Sequence, residues 1–175
     1  MSAADDAGAA RVRAAAPADV PRIHALMLGL AEYERLLDEF TGTEAGLADA
    51  LFGAPPAAEC LVLEQGGTLE GYALFYPVFG SFRNRRTMWL EDLFVNPAAR
   101  AAGGGRRLMA ALARRCVARG ITRIGWVVLD WNEPAIGFYR RLGGRAQDTS
   151  DWLQYALEEE DLRRLAADAT EAAGC

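Results

Sequence analysis

Residues 90–109, LEDLFVNPAARAAGGGRRLM, read as a strand, a turn, a glycine loop and a helix in immediate succession. Leu90, Leu93, Phe94 and Val95 are strand formers. Asn96-Pro97 ends the strand, because proline has no N–H and restrains the residue before it. Arg100, Gly103, Gly104 and Gly105 come next, and helical periodicity starts at Arg106. Three successive glycines let a backbone approach a ligand with bare amides. At a helix start those amides and the positive end of the dipole face the same spot. The result is a seat for a phosphate or diphosphate, with Arg100 and Arg106 adding charge. On the loop alone, an ordinary glycine-rich strand-to-helix turn explains the residues equally well. The loop is not G-x-x-x-x-G-K-[ST], which excludes a P-loop. It also lacks the G-x-G-x-x-G and the following acid that a dinucleotide fold requires.

Composition narrows the class. The 175 residues suffice for one domain with a real core, and 51% apolar with 25% charged residues is a soluble profile. A net charge of −5 argues against sequence-independent nucleic-acid binding and suits a cationic substrate. Cys60, Cys116 and Cys175 are odd in number and scattered, without disulfide or metal spacing. The lone histidine, His24, rules out a histidine metal cluster and reads as structural. Acid–base chemistry then falls to Glu, Asp or Tyr. No membrane span or signal peptide is found, so no membrane partner is expected and a cytoplasmic location follows.

In chain order, residues 1–10 are expected to be a disordered tail and 11–175 a single domain. Residues 11–15 read as a strand. Asp19 and Pro21 open a helix that runs to about Leu37, and Thr43 caps a second one closed by Pro55-Pro56. Residues 60–65 and 68–79 form a hairpin about Gly66-Gly67, with Gly71 at a bulge. FRNRR, residues 82–86, reads as a solvated turn rather than a rim for an anionic ligand. The next strand, 87–95, carries Glu91 and Asp92. The helix 106–119 has one apolar row of Leu108, Leu112 and Cys116 and another of Met109, Ala113 and Val117. Residues 123–129 read as a strand covered on both faces. Asn132 caps a short helix, 136–142, stopped by Gly143-Gly144. A last strand, 152–157, precedes a helix at 158–173. Strand–helix alternation after a hairpin indicates a mixed α/β sheet.

The segment VLDWNEPAIGFYRRLG, residues 128–143, adds a strand followed by N-x-x-A-x-x-F-Y-x-x-x-G. Together with LAEYE, WLEDLFV and the R-x-x-G-x-G order from Arg100 to Gly105, it resembles the GNAT N-acetyltransferases, most closely their diamine (spermidine/spermine) branch. The resemblance covers residues 11–166. One departure is Ala101, where the family often has glycine. It implies a GNAT fold: a central twisted mixed sheet of about six or seven strands flanked by helices.

The resemblance further implies acetyl transfer from acetyl-CoA, with no metal, to a primary amine of a small cationic acceptor such as a diamine, polyamine or lysine-like amino acid. A peptide or protein N-acetyltransferase and a non-catalytic CoA-binding module are the alternatives. Tyr139 would be the general acid for the departing thiolate. Glu91 would hold the ammonium and relay its proton, since an alkylamine with a pKa near ~10.4 cannot attack while protonated. Asp92 alternates to the opposite face of a regular strand, so only one of the two acids can serve unless a bulge intervenes. Leu93, Phe94 and Val95 would pair with the pantetheine arm. Arg100, Ala101, Ala102, Gly103, Gly104, Gly105 and Arg106 would cradle the diphosphate, and Asn132 and Ala135 would hold the arm farther along. Tyr33, Glu34 and Asp151 would line the amine pocket with Glu91. A homodimer is also implied.

Overall fold

A computed structural model of the chain describes residues 10–147 and 155–172. They belong to two compact units that divide between Glu133 and Pro134. The expected tail falls, but for Ala10, outside the described residues.

The first unit is a five-stranded sheet with helices on both faces. Its strands are β1 (Arg11–Ala14), β2 (Glu59–Gln65), β3 (Thr68–Gly80), β4 (Arg85–Val95) and β5 (Ile124–Gly125), and its helices are α1 (Val20–Glu34), α2 (Glu44–Phe52), the single turn α3 (Pro97–Arg100) and α4 (Gly104–Ala118). The strands lie in sequence order, antiparallel except for the parallel β4–β5 pair. Gly66 and Gly67, at φ 59° and 78°, make the tight β2–β3 turn.

Alternation along the strands builds two cores. Cys60, Val62, Tyr72 and Phe94 pack with Val20, Ile23 and Leu26 of α1 and Leu47 and Leu51 of α2. The opposite face carries Leu63 and Phe75 toward α4: Leu63 lies under Gly104, and Arg115 stands 5.8 Å from the Phe75 ring. Leu108, Leu112 and Cys116 of α4 are buried, as their spacing predicts. The adjacent row departs from expectation, with Val117 77% exposed, because one stripe suffices to seat the helix.

Other boundaries moved for local reasons. α1 stops at Glu34 rather than near Leu37, because Arg35 turns to the left-handed region at φ 63°. Asp19 does not cap α1 with its side chain. Its carboxylate instead accepts the Ala16 N–H at 2.7 Å and a two-pronged pair from Arg13 at 2.6 and 2.9 Å. Those partners hold Asp19 below the ordinary carboxylate range. Thr43 caps α2 as expected, accepting from Gly46 N at 3.1 Å. The β3 bulge falls at Glu70, where Leu63 pairs with Gly71 and Glu64 with Leu69. Gly71 beside it lies against β4, where a Cβ would meet the Phe94 carbonyl oxygen at 2.7 Å. His24 is structural: its ring bonds the Gly42 carbonyl at 3.0 Å and meets Phe40 edge-on at 5.4 Å.

The strand expected at residues 123–129 shrinks to Ile124–Gly125, and Val127 is 76% exposed. β5 pairs with β4 only at Met88 and Trp89. Beyond that point the two segments part, so the two-sided cover that its apolar run implied is absent over Val127 and Val128.

The second unit contains α5 (Glu133–Arg141, its first residue lying on the boundary) and α6 (Glu159–Ala172). α5 ends in bonds from Leu142 N and Gly144 N to the Tyr139 carbonyl, at 3.1 and 2.9 Å, with Gly143 at φ 88°. α6 carries Glu159–Arg163 and Asp161–Arg164 pairs along its exposed side. Of the last expected strand, residues 152–154 lie outside the described residues and 155–157 are not in a strand. Five strands among the described residues therefore stand where six or seven were expected.

Candidate active site

Two backbone irregularities shape the site. The first is a bulge in β4. Leu74 pairs with Asp92 and Phe75 with Leu90, which leaves Glu91 as the extra residue. β3 is regular there, so Tyr72, Leu74 and Tyr76 share one face. Glu91 Oε2 accepts from the Tyr76 hydroxyl at 2.8 Å and from Trp89 Nε1 at 2.9 Å. Asp92 Oδ2 accepts from the Tyr72 hydroxyl at 3.1 Å. Both acids therefore lie on the α1 face. This corrects the expectation that Asp92 points away: the inserted residue cancels the alternation. Asp92 is the functional candidate that a regular-strand reading misses. The signal was two adjacent acids inside an otherwise apolar strand, WLEDLFV.

Charge is concentrated on that face. Burial pushes the Asp92 carboxyl up to about 6; the Tyr72 hydrogen bond opposes the rise, and Glu91 and Glu34 add to it. Burial also raises the Glu34 carboxyl. The Tyr72 phenol is held far above its usual range by burial and then by Asp92. Desolvation and Glu91 push the Tyr76 phenol up to about 12. Among the described residues, no group of three or more His, Cys, Asp or Glu side chains is placed to hold a metal ion.

The second irregularity is the opening between β4 and β5. After Trp89, the edge of β4 away from β3 has no further β5 residue in register with it. This edge includes Leu93, Phe94 and Val95. At its end comes the glycine turn, where the three glycines do different work. Gly103 adopts φ 73° and ends the turn. Gly104 lies so close to the sheet that a Cβ would meet Leu63 Cδ2 at 2.5 Å. Gly105 continues into α4. No side chain caps α4, and Arg107 N is the first amide bonded back, to Gly103 O at 3.1 Å. The amides of Gly104, Gly105 and Arg106 thus have no acceptor in a preceding helical turn. Ala101 and Ala102 are exposed beside them.

Arg100 is engaged differently from a simple phosphate ligand. Its Nε donates to the Val95 carbonyl at 2.9 Å, and its guanidinium stands 5.0 Å from the Tyr33 ring and 5.7 Å from Phe94. Tyr33, expected at the amine, donates its hydroxyl to Asn132 Oδ1 at 3.2 Å. Asn132 is the buried polar side chain among the described residues, 5% exposed. In the second unit, Tyr139 lies on α5, half-buried, with its ring edge-on to Phe138 at 5.2 Å. Ala135 is half-buried on the same helix. Asp151 lies outside the described residues.

A mixed sheet with helices on both faces, split beside a glycine turn and carrying a cluster of carboxylates, defines an α/β protein with a candidate anion seat next to an acidic face. The chain belongs to the GNAT family: a model described as "Acetyltransferase (GNAT) family" matches residues 29–144. Thialysine N-epsilon-acetyltransferase of Bos taurus is 34% identical over 166 residues, covering 89% of this chain and 96% of the relative. L-ornithine N5-acetyltransferase NATA1 of Arabidopsis thaliana is 30% identical over 207 residues, covering 93% and 86%. Among solved structures, an aminoglycoside acetyltransferase, meta-AAC0020, from an uncultured soil metagenomic sample superposes with a TM-score of 0.71. At 16% identity over 85% of this chain and 97% of that one, it shares the fold.

Proposed function

We propose that the protein transfers an acetyl group from acetyl-CoA to a primary amine of a small cationic acceptor, a diamine, polyamine or basic amino acid. The observation that carries this reading is the β4 bulge, which puts Glu91 and Asp92 on one face with Glu34 beside an open strand edge. Several carboxylates in one place suit an acceptor with more than one ammonium, because each buried cation needs a counter-charge. The named activities of the ornithine and thialysine relatives support the same acceptor class.

The carrier fits the residues present. The open edge at Leu93, Phe94 and Val95 suits an extended amide-bearing arm, with the Val95 carbonyl already used by Arg100. The uncapped start of α4, with Arg106 beside it, suits a diphosphate. Asn132 holds the arm farther along, and Ala135 takes that role on the strength of the sequence motif. When bound, acetyl-CoA supplies the activated acyl group.

Glu91 receives the ammonium, oriented by the Tyr76 and Trp89 donors, and takes its proton directly or through water. Asp92, pushed up to about 6, is matched to hold that proton near neutral pH. Glu34 and Asp151 hold the distal ammonium. Tyr139 gives its phenolic proton to the departing sulfur; this role rests on the F-Y motif. The protein works as a homodimer in the cytoplasm, which light scattering and cell fractionation test.

The test is turnover of acetyl-CoA by the purified protein with ornithine, thialysine, spermidine, a monoamine and a short peptide. Mass spectrometry should find singly acetylated products of the basic acceptors. Acetylation of the peptide alone would overturn the acceptor class.

A further inference from the structure

The last turn of α1 reaches both sides of the β4–β5 opening. On one side, Arg100 is fastened to the end of β4 through the Val95 carbonyl, and its guanidinium covers the Tyr33 ring at 5.0 Å. On the other side stand residues 131 and 132, at the end of the segment that leaves the sheet after Gly125. The Tyr33 hydroxyl bonds Asn132 there, and its ring lies 6.3 Å from Trp131. Arg35, in its left-handed conformation, adds a second link, its guanidinium 5.4 Å from the Trp131 ring.

Two physical points decide what Tyr33 does. The Tyr33 phenol donates to Asn132 Oδ1 and so holds the amide with that oxygen toward α1. A ring already faced by a guanidinium is a poor seat for a second cation, because the two charges repel. Both points move Tyr33 away from the acceptor.

We infer that Tyr33 is a positioning residue for the thioester carrier: it clasps the two walls of the β4–β5 opening together, orients the Asn132 amide and sets affinity for coenzyme A, not for the amine. This rests on the acetyl-CoA reading given above. The same stack holds Arg100 on Val95, so the end of β4 and the start of the glycine turn are fixed together.

The test compares wild type, Tyr33→Phe, Asn132→Ala and the double variant. Calorimetry gives the Kd for coenzyme A, steady-state kinetics give the amine KM at saturating acetyl-CoA, and melting temperature monitors folding. Tyr33→Phe keeps the ring under Arg100 and loses only the hydroxyl. It should weaken coenzyme A binding by about fivefold, the worth of one hydrogen bond, with amine KM unchanged and a melting temperature lowered by only a few degrees. The double variant should bind no more weakly than Asn132→Ala alone. A raised amine KM with unchanged coenzyme A affinity overturns the clasp and leaves the enzyme assignment standing. So do multiplying losses in the double variant, or a lowered melting temperature as the only effect. A wild-type protein that binds no coenzyme A overturns the enzyme reading and the clasp together.

Discussion

The Tyr72 phenol, fully buried, donates to Asp92 Oδ2 at 3.1 Å on the sheet face that also carries Glu91. A carboxyl kept in such a place resists ionisation, and its stability effect has a definite sign. The Asp92 value rises from 3.8 to about 6 on folding. Between those values the folded state holds a proton that the unfolded chain has released. Stability therefore falls as pH climbs through this window and stays reduced above it.

Asp92→Asn removes that penalty while leaving an oxygen for Tyr72. At pH 8 it should stabilise the protein by at most about 3 kcal/mol, and at pH 4 the gain should nearly vanish. Urea unfolding at the two pH values checks this. Turnover should fall in the same variant, as expected where an active site stores instability.

Glu91 is held by Tyr76 and Trp89 at 2.8 and 2.9 Å. Glu91→Gln preserves its shape but cannot take a proton. We expect kcat/KM for the amine to drop by about 10²-fold or more, the usual worth of a positioned base, with coenzyme A affinity intact. Tyr76→Phe should cost only a few-fold, on the order of one hydrogen bond. Steady-state kinetics with a basic amino acid as acceptor separate the two.

Tyr139→Phe leaves the ring against Phe138 and removes the proton. A kcat loss of about 10²–10⁴ is expected for a general acid, with no change in coenzyme A binding by calorimetry. Unchanged turnover would reassign the acid.

The adjacent glycines should fail differently. Gly104→Ala drives a methyl against Leu63, itself wholly buried, at 2.5 Å. That overpacking should cost about 1–3 kcal/mol. Gly103→Ala meets nothing within 4 Å and suffers only from its φ of 73°, about 1–2 kcal/mol. Both variants lower the urea midpoint; only Gly104→Ala should loosen the helix start enough to weaken coenzyme A binding sharply.

Much of this fold was legible because single residues dictate local geometry. Gly66-Gly67 could only be a tight turn, Thr43 is a natural cap, and Leu108, Leu112 and Cys116 share a helix face. The glycine turn followed from the order of residues 90–109, whereas a free strand edge at Leu93–Val95 was implied only by the family resemblance. What escaped depended on neighbours. Asp92 changed face because Glu91 has no pairing partner, which no propensity encodes. Val127 and Val128 read as doubly covered, yet β5 leaves β4 after Trp89. Tyr33 carried no mark of its bond to Asn132, since the two lie 99 residues apart and meet only once α1 is docked.

Burial has silenced two thiols. Cys60 is pushed up to about 12, and Cys116 is raised as well; since only a thiolate attacks an electrophile, neither reacts readily in the native enzyme. A chromogenic disulfide added to a running reaction would thus colour with the sulfhydryl that thioester-dependent turnover releases, with little background from Cys60 or Cys116.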